Sequence, residues 1–156
     1  MSAKVSPIPK DHHSVTPMLM VRGAAKEIDF LKQAFGATEK ERHAAPDGSI
    51  MHAQVQIGDS MIMLGDAKGD CQPTTAALYL YVPNVDEVYQ RAVAAGAKSE
   101  MELADQFWGD RSGSVTDPAG NRWWLATHKE DVSAEELKRR AAKFMAQHQA
   151  EHEKAA

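Results

Sequence analysis

Apolar and polar positions along the chain alternate in two similar runs. One contains PMLMVRGAAKEIDFLKQAFGAT and the other LYLYVPNVDEVYQRAVAAGAKS. Gly36 and Gly96 stand 60 residues apart, as do Ile28 and Val88, and Ala34 and Ala94. Each run opens on a short apolar strand and continues as a helix that ends at a Gly-Ala pair, where glycine suits the left-handed position after the last turn. Ile28, Leu31 and Phe35 form the buried stripe of the first helix; Val88, Ala92 and Ala95 form that of the second. Asn84, with Glu87 three residues on, predicts a capping box.

A hairpin closes each run. SIMHAQVQI alternates, turns at Gly58-Asp59 and returns as SMIMLG; SGSVTD turns at PAGN and returns as RWWLATH. One more short strand fits between helix and hairpin in each case. The pattern is β-α-β-β-β, twice. Beyond residue 130, Ser133 and Glu136 form a second capping box, and Leu137, Ala141, Phe144 and Met145 recur at helical spacing. The expected organisation is a flexible lead over 1–13, units over 14–70 and 76–129, and an amphipathic helix over 133–150 that packs on the body or on a partner. His148, Glu151 and His152 match the H-x-x-E-H zinc-protease spacing, but at a charged chain end without a third ligand the match carries little.

Composition narrows the function. A chain of 156 residues, 43% hydrophobic and 26% charged, is of ordinary globular make-up. A net charge of −4 gives no basic footprint for nucleic acid. No apolar run reaches membrane-span length, and the polar, proline-punctuated opening does not read as a signal peptide. The single cysteine, Cys71, excludes an internal disulfide and fits a reducing, cytoplasmic setting.

Strand alternation assigns faces. Met51, Ala53, Val55 and Ile57 are expected to pack on the helices, with Ile50, His52, Gln54 and Gln56 on the other face. By the same rule Leu19, Val21, Leu78, Leu80, Val82, Trp123 and Leu125 go to the core. Thr16, Met18, Met20, Ala77, Tyr79, Tyr81, Arg122, Trp124 and Ala126 are left opposite.

The motifs TPMLMV, KEIDFLKQAFGA, DGSIMHAQVQIGDSMIMLGD and DQFWGDRSGSVTDPAGNRWWLATH cover residues 15 to 128 or so. Together with the tail EDVSAEELKRRAAKFM they resemble the vicinal oxygen chelate superfamily of glyoxalases, bleomycin-resistance proteins and dioxygenases, in its PhnB-like branch. The resemblance implies an α+β fold: two tandem units forming curved mixed sheets around a small-ligand cleft, plus the C-terminal helix. It also implies a homodimer.

Metal-dependent members carry His or Glu ligands on the first and last strand of each unit. Carried onto this chain, those slots fall at Thr16, Met63, Ala77 and Trp124, none a ligand for a divalent metal. No metal and no cofactor are therefore expected. The WGDR segment resembles a Trp-Gly loop that shapes the ligand groove in metal-free bleomycin-resistance proteins.

The expected ligand-binding set is His52, Gln54, Met63, Tyr79, Tyr81, Trp108, Arg111 and Trp124, apolar walls with a few polar points. Methionines and aromatics in such places alternatively fill a closed core or a dimer interface. His52 is the candidate general base, or else a satisfied, half-buried histidine. Arg111 suits an anionic group, or else a salt bridge to Asp105 or Asp110 that locks its loop.

Three functional readings follow: a metal-independent small-molecule-binding protein, an enzyme with His52 as base and Arg111 as anion clamp, or a dimeric interaction protein with filled clefts. Against a cationic drug such as bleomycin as the ligand stands the mild net charge.

Overall fold

The computed structural model describes residues 5–155, with side chains through Glu151. The first unit runs β1 (Met18–Val21), α1 (Ala24–Phe35), β2 (Thr38–Ala44), β3 (Ile50–Ile57) and β4 (Ser60–Asp66). The second runs β5 (Ala77–Tyr81), α2 (Val85–Ala94), β6 (Lys98–Asp105), β7 (Asp110–Thr116) and β8 (Arg122–His128), and α3 (Ala134–Ala155) follows. Each unit makes one four-stranded sheet, ordered β1-β4-β3-β2 and β5-β8-β7-β6. In both, the first strand lies parallel to the last and the other pairs are antiparallel. The α+β fold with tandem β-α-β-β-β units and a C-terminal helix is therefore as the sequence pattern implies.

Local chemistry fixes these elements. Asn84 Oδ1 accepts the Glu87 N–H at 3.3 Å, the expected N-cap of α2. The start of α1 is held differently, by a carboxylate from the far end of the unit. Asp66 Oδ1 accepts the N–H groups of Gly23 and Ala24, both at 2.9 Å, and Oδ2 accepts that of Ile50 at 2.7 Å. Burial opposes the charge on Asp66, yet these backbone donors hold its carboxyl below the usual range. Gly36 ends α1 in the left-handed region, φ 66°. At the β3–β4 turn only Gly58 has positive φ, 57°, as a II′ hairpin requires. Ser133 Oγ caps α3 through the Glu136 N–H at 3.2 Å.

α1 and α2 pack on one another, and one hydrophobic core joins the helix-facing sides of both sheets. Phe35 of α1 meets Trp123 of β8 with ring centroids 4.8 Å apart. The opposite side of each sheet, its outer face, points away from this core. Among the described residues no strand of one sheet pairs with a strand of the other.

Alternation places most strand residues as expected: Leu19, Val21, Ala53, Val55, Ile57, Trp123 and Leu125 are buried in the core. One pair is reversed. Met51 is 69% exposed and Ile50 only 2%. The cause is a bulge: His43 pairs with His52 but Ala44 with Ile50, so Met51 is left unpaired and the period-two count slips there.

α3 leaves the body after its first turns. Arg140 pairs with Glu130 at 2.8 Å, and Phe144 stacks on Phe107 at 5.1 Å. Of the zinc-protease spacing, the side chain of His152 lies outside the described residues. Residues 1–4 of the expected lead lie outside them as well.

Candidate functional site: the outer faces of the two sheets

Cross-strand registers build the outer face of the second sheet row by row. Tyr79 stands opposite Trp124, which stands opposite Ser114; Tyr81 opposite Ala126, opposite Ser112; His128 opposite Asp110. Small buried residues in the inner rows leave room for rings on the edge strand. Tyr79 and Tyr81 lie with centroids 5.0 Å apart, 44% and 60% exposed.

Asp110 organises this face. It is 3% exposed, at the N-terminal end of β7. Its Oδ2 accepts from Tyr79 Oη at 3.0 Å, Tyr81 Oη at 3.2 Å and Trp108 Nε1 at 3.2 Å. Its Oδ1 meets His128 Nδ1 at 2.8 Å. His128 Nε2 in turn meets Asp131 Oδ1 at 2.8 Å. Burial works against the Asp110 charge, but the hydrogen bonds from His128, Tyr79, Tyr81 and Trp108 outweigh it and hold the carboxyl below the usual range. Hydrogen bonds to Asp110 and Asp131 raise the pKa of His128. Burial, seconded by the Asp110 carboxylate, raises both tyrosines, so their hydroxyls keep their protons.

Gly109 positions this carboxylate. Its carbonyl accepts the N–H groups of Lys129 and Glu130 at 2.9 and 3.0 Å. A Cβ on it would lie 2.2 Å from the Glu130 carbonyl oxygen. The Trp-Gly-Asp segment is thus clamped to the end of β8, which brings Trp108 and Asp110 to the tyrosines.

Arg111 faces the other way. One residue on from Asp110, it projects toward α2, where Nε and Nη2 bind Asp86 at 2.9 and 2.8 Å and Nη1 reaches Asp105 at 3.4 Å. The salt bridge is therefore to Asp86 and Asp105.

The outer face of the first sheet is thioether and polar. Met18 stands opposite Met63, which stands opposite Gln54. The Cε atoms of Met18 and Met20 lie over Gly65, where a Cβ would come within 3.7 and 3.5 Å of them. Gln54 Nε2 donates to Glu41 Oε2 at 3.1 Å and lies 3.3 Å from His52 Nε2, while Gln54 Oε1 meets His12 Nε2 at 3.0 Å. His43, across from His52, pairs with Glu41.

Within one chain the structure thus gathers Tyr79, Tyr81, Trp108 and Trp124 on one face, and His52, Gln54 and Met63 on another. It does not bring the two groups together.

Asp110, His128 and Asp131 are not in the ligand-binding set expected from sequence, where Asp110 enters only as a possible salt-bridge partner of Arg111. The alternation that gave Trp124 and Ala126 reaches His128 one step later, and Asp110 precedes Ser112 and Ser114 at the same spacing.

The residues that the resemblance puts at metal-ligand positions do not fit a divalent ion, and Thr16 precedes β1 instead of lying on it. A hydroxyl (Thr16), a thioether (Met63), a methyl (Ala77) and an indole (Trp124) offer no anionic or imidazole donor. Among the described residues no group of three His, Cys, Asp or Glu side chains is arranged to hold a metal.

Comparison with known proteins agrees with this architecture. The chain is 37% identical over 135 residues to the uncharacterised protein Mb0911c of Mycobacterium bovis, covering 80% of this chain and 89% of that one. The crystal structure of TioX from Micromonospora is similar with a TM-score of 0.63 at 26% identity, over 78% of this chain and 100% of TioX. A PhnB protein from Bacillus cereus shares the fold, TM-score 0.59 at 19% identity, over 74% of this chain and 99% of its own. Residues 12–125 match the family model described as the Glyoxalase/Bleomycin resistance protein/Dioxygenase superfamily, and the chain belongs to that superfamily.

Proposed function

We propose that the protein binds a small molecule without a metal, on the face formed by Tyr79, Tyr81, Trp108 and Trp124. The observation that carries this reading is Asp110. A nearly buried carboxylate fixes three aromatic side chains by their polar ends while leaving the rings of Tyr79 and Tyr81 open to solvent. Rings that merely filled a core would be covered. Rigid aromatic walls around a few polar groups suit a ligand of modest size.

Because His52, Gln54 and Met63 occupy a separate outer face, a cleft using both sets requires a second copy of the chain. We propose a homodimer in which the first sheet of one copy covers the second sheet of the other. The enzymatic reading with Arg111 as anion clamp is less favoured, since its guanidinium is engaged by Asp86 and Asp105 on the other side of the sheet.

The test is a thermal-shift screen of chelator-treated protein against a chemically diverse library, with Trp124→Ala in parallel. Stabilising compounds that lose their effect in the variant are expected. Absence of any Trp124-dependent compound overturns the binding reading, and hits that require one tightly bound divalent ion per chain overturn its metal independence.

A further inference from the structure

From the direction of the hydrogen bonds we infer that this face selects a cationic, planar ligand group, an inference that rests on the small-molecule reading above. Each donor of the Asp110 cluster is already engaged by a carboxylate. The tyrosine hydroxyl protons and the Trp108 indole N–H all go to Asp110 Oδ2, at 3.0, 3.2 and 3.2 Å. The two nitrogens of His128 are engaged by Asp110 and Asp131, each at 2.8 Å. What the cluster turns outward is therefore the ring faces of Tyr79 and Tyr81. These faces are electron-rich and attract positive charge.

The local charge agrees. Two carboxylates flank one imidazole, so even with His128 protonated the cluster carries a net negative charge. The chain also contains an internal precedent: the guanidinium carbon of Arg122 sits 5.3 Å from the ring centroid of Trp124, the residue paired with Tyr79. Tyr79 and Tyr81 have no such cation of their own among the described residues, and they are the exposed pair. An anionic ligand would meet no free donor of the cluster, and the neighbouring Arg122 guanidinium is already engaged by the Trp124 ring and Glu100.

The test uses three planar probes of similar size, N-methylquinolinium, 1-naphthylmethanol and 1-naphthoate. Each is titrated into the full chain and into Tyr81→Leu, and binding is followed by nitrogen–proton NMR with the Trp108 indole resonance as reporter. The amide spectrum of the variant shows that it is folded. N-methylquinolinium is expected to bind about five- to tenfold tighter than the neutral alcohol, with the carboxylate weakest. Tyr81→Leu should bring the cation down to the affinity of the alcohol. Equal or tighter binding of the alcohol or the carboxylate overturns the inference while leaving the small-molecule reading in place. No response of the Trp108 resonance to any of the three also overturns it. The small-molecule reading itself fails only if the library screen finds no Trp124-dependent compound.

Discussion

The carboxyl of Glu27, on α1 of the first unit, is buried beside the carboxylate of Asp117 at the start of the β7–β8 turn of the second. Glu27 is 1% exposed, and among the described residues neither of its oxygens has a partner of good hydrogen-bond geometry. Asp117 is satisfied: Oδ1 accepts the N–H groups of Ala119 and Asn121 at 3.0 and 2.8 Å, and Oδ2 accepts Trp123 Nε1 at 2.8 Å. Burial first, and Asp117 second, push the Glu27 pKa up to about 9.

This shift sets a pH dependence. Unfolded Glu27 releases its proton near 4.5, whereas the folded chain retains it up to about 9. The native state binds the extra proton across that window, so stability falls as pH rises through it. The cost at pH 7 is on the order of 3 kcal/mol. Glu27→Gln should be more stable than the parent at pH 8, and the two should converge near pH 5. Urea denaturation at several pH values checks this; parallel curves would refute it.

Trp123 and Trp124 should behave as opposites despite being neighbours. Trp123 is in the core and donates to Asp117, so Trp123→Ala should cost about 3–5 kcal/mol. Trp124 is only partly buried on the outer face, and its loss should cost clearly less while abolishing ligand-induced thermal shifts. Equal destabilisation by both would place Trp124 in a packed layer and not in a binding wall.

His128 should titrate above its usual value. Its pKa is raised by the hydrogen bonds to Asp110 and, secondarily, to Asp131. Stability from this contact is fully present below the unfolded value near 6.5 and is lost as pH rises through the higher folded value. Asp131→Asn should lower the His128 midpoint in a proton NMR titration. An unchanged midpoint would mean that the Asp131 contact does not persist in solution.

Gly109→Ala should be among the most damaging single-methyl changes. The residue has φ 100°, and the added carbon would lie 2.2 Å from the Glu130 carbonyl. A loss of at least about 1–3 kcal/mol is expected from backbone strain alone. Displacement of Trp108 should show as a change in tryptophan fluorescence. Parent-like stability would show that the clamp to Glu130 is dispensable.

Much of this was legible in the residue pattern because alternation and helical spacing are local properties. The duplicated unit, the turn at Pro118, the capping residues Asn84 and Ser133, and the opposite faces of Trp123 and Trp124 all follow from neighbours in sequence. Failures arose where the outcome depends on distant partners. The bulge at Met51 is set by the pairing of β2 with β3, and no periodicity in β3 alone reveals it. The engagement of Arg111 by Asp86 spans 25 residues. Asp110 collects donors from β5, β8 and the preceding loop, so its role is a product of topology. Glu27 sits at a position on α1 that looks like an ordinary solvated charge until the second unit covers it.

The back-to-back packing of α1 and α2 divides labour along each strand. Odd and even residues answer to different constraints, one set to the shared interior and the other to whatever lies outside. A substitution on an outer face therefore need not disturb the interior that holds the two halves together. The duplicated halves have already diverged in this way, one surface becoming thioether and imidazole, the other aromatic and acidic, over one common scaffold. New binding chemistry is accessible to such a protein by changing every second residue.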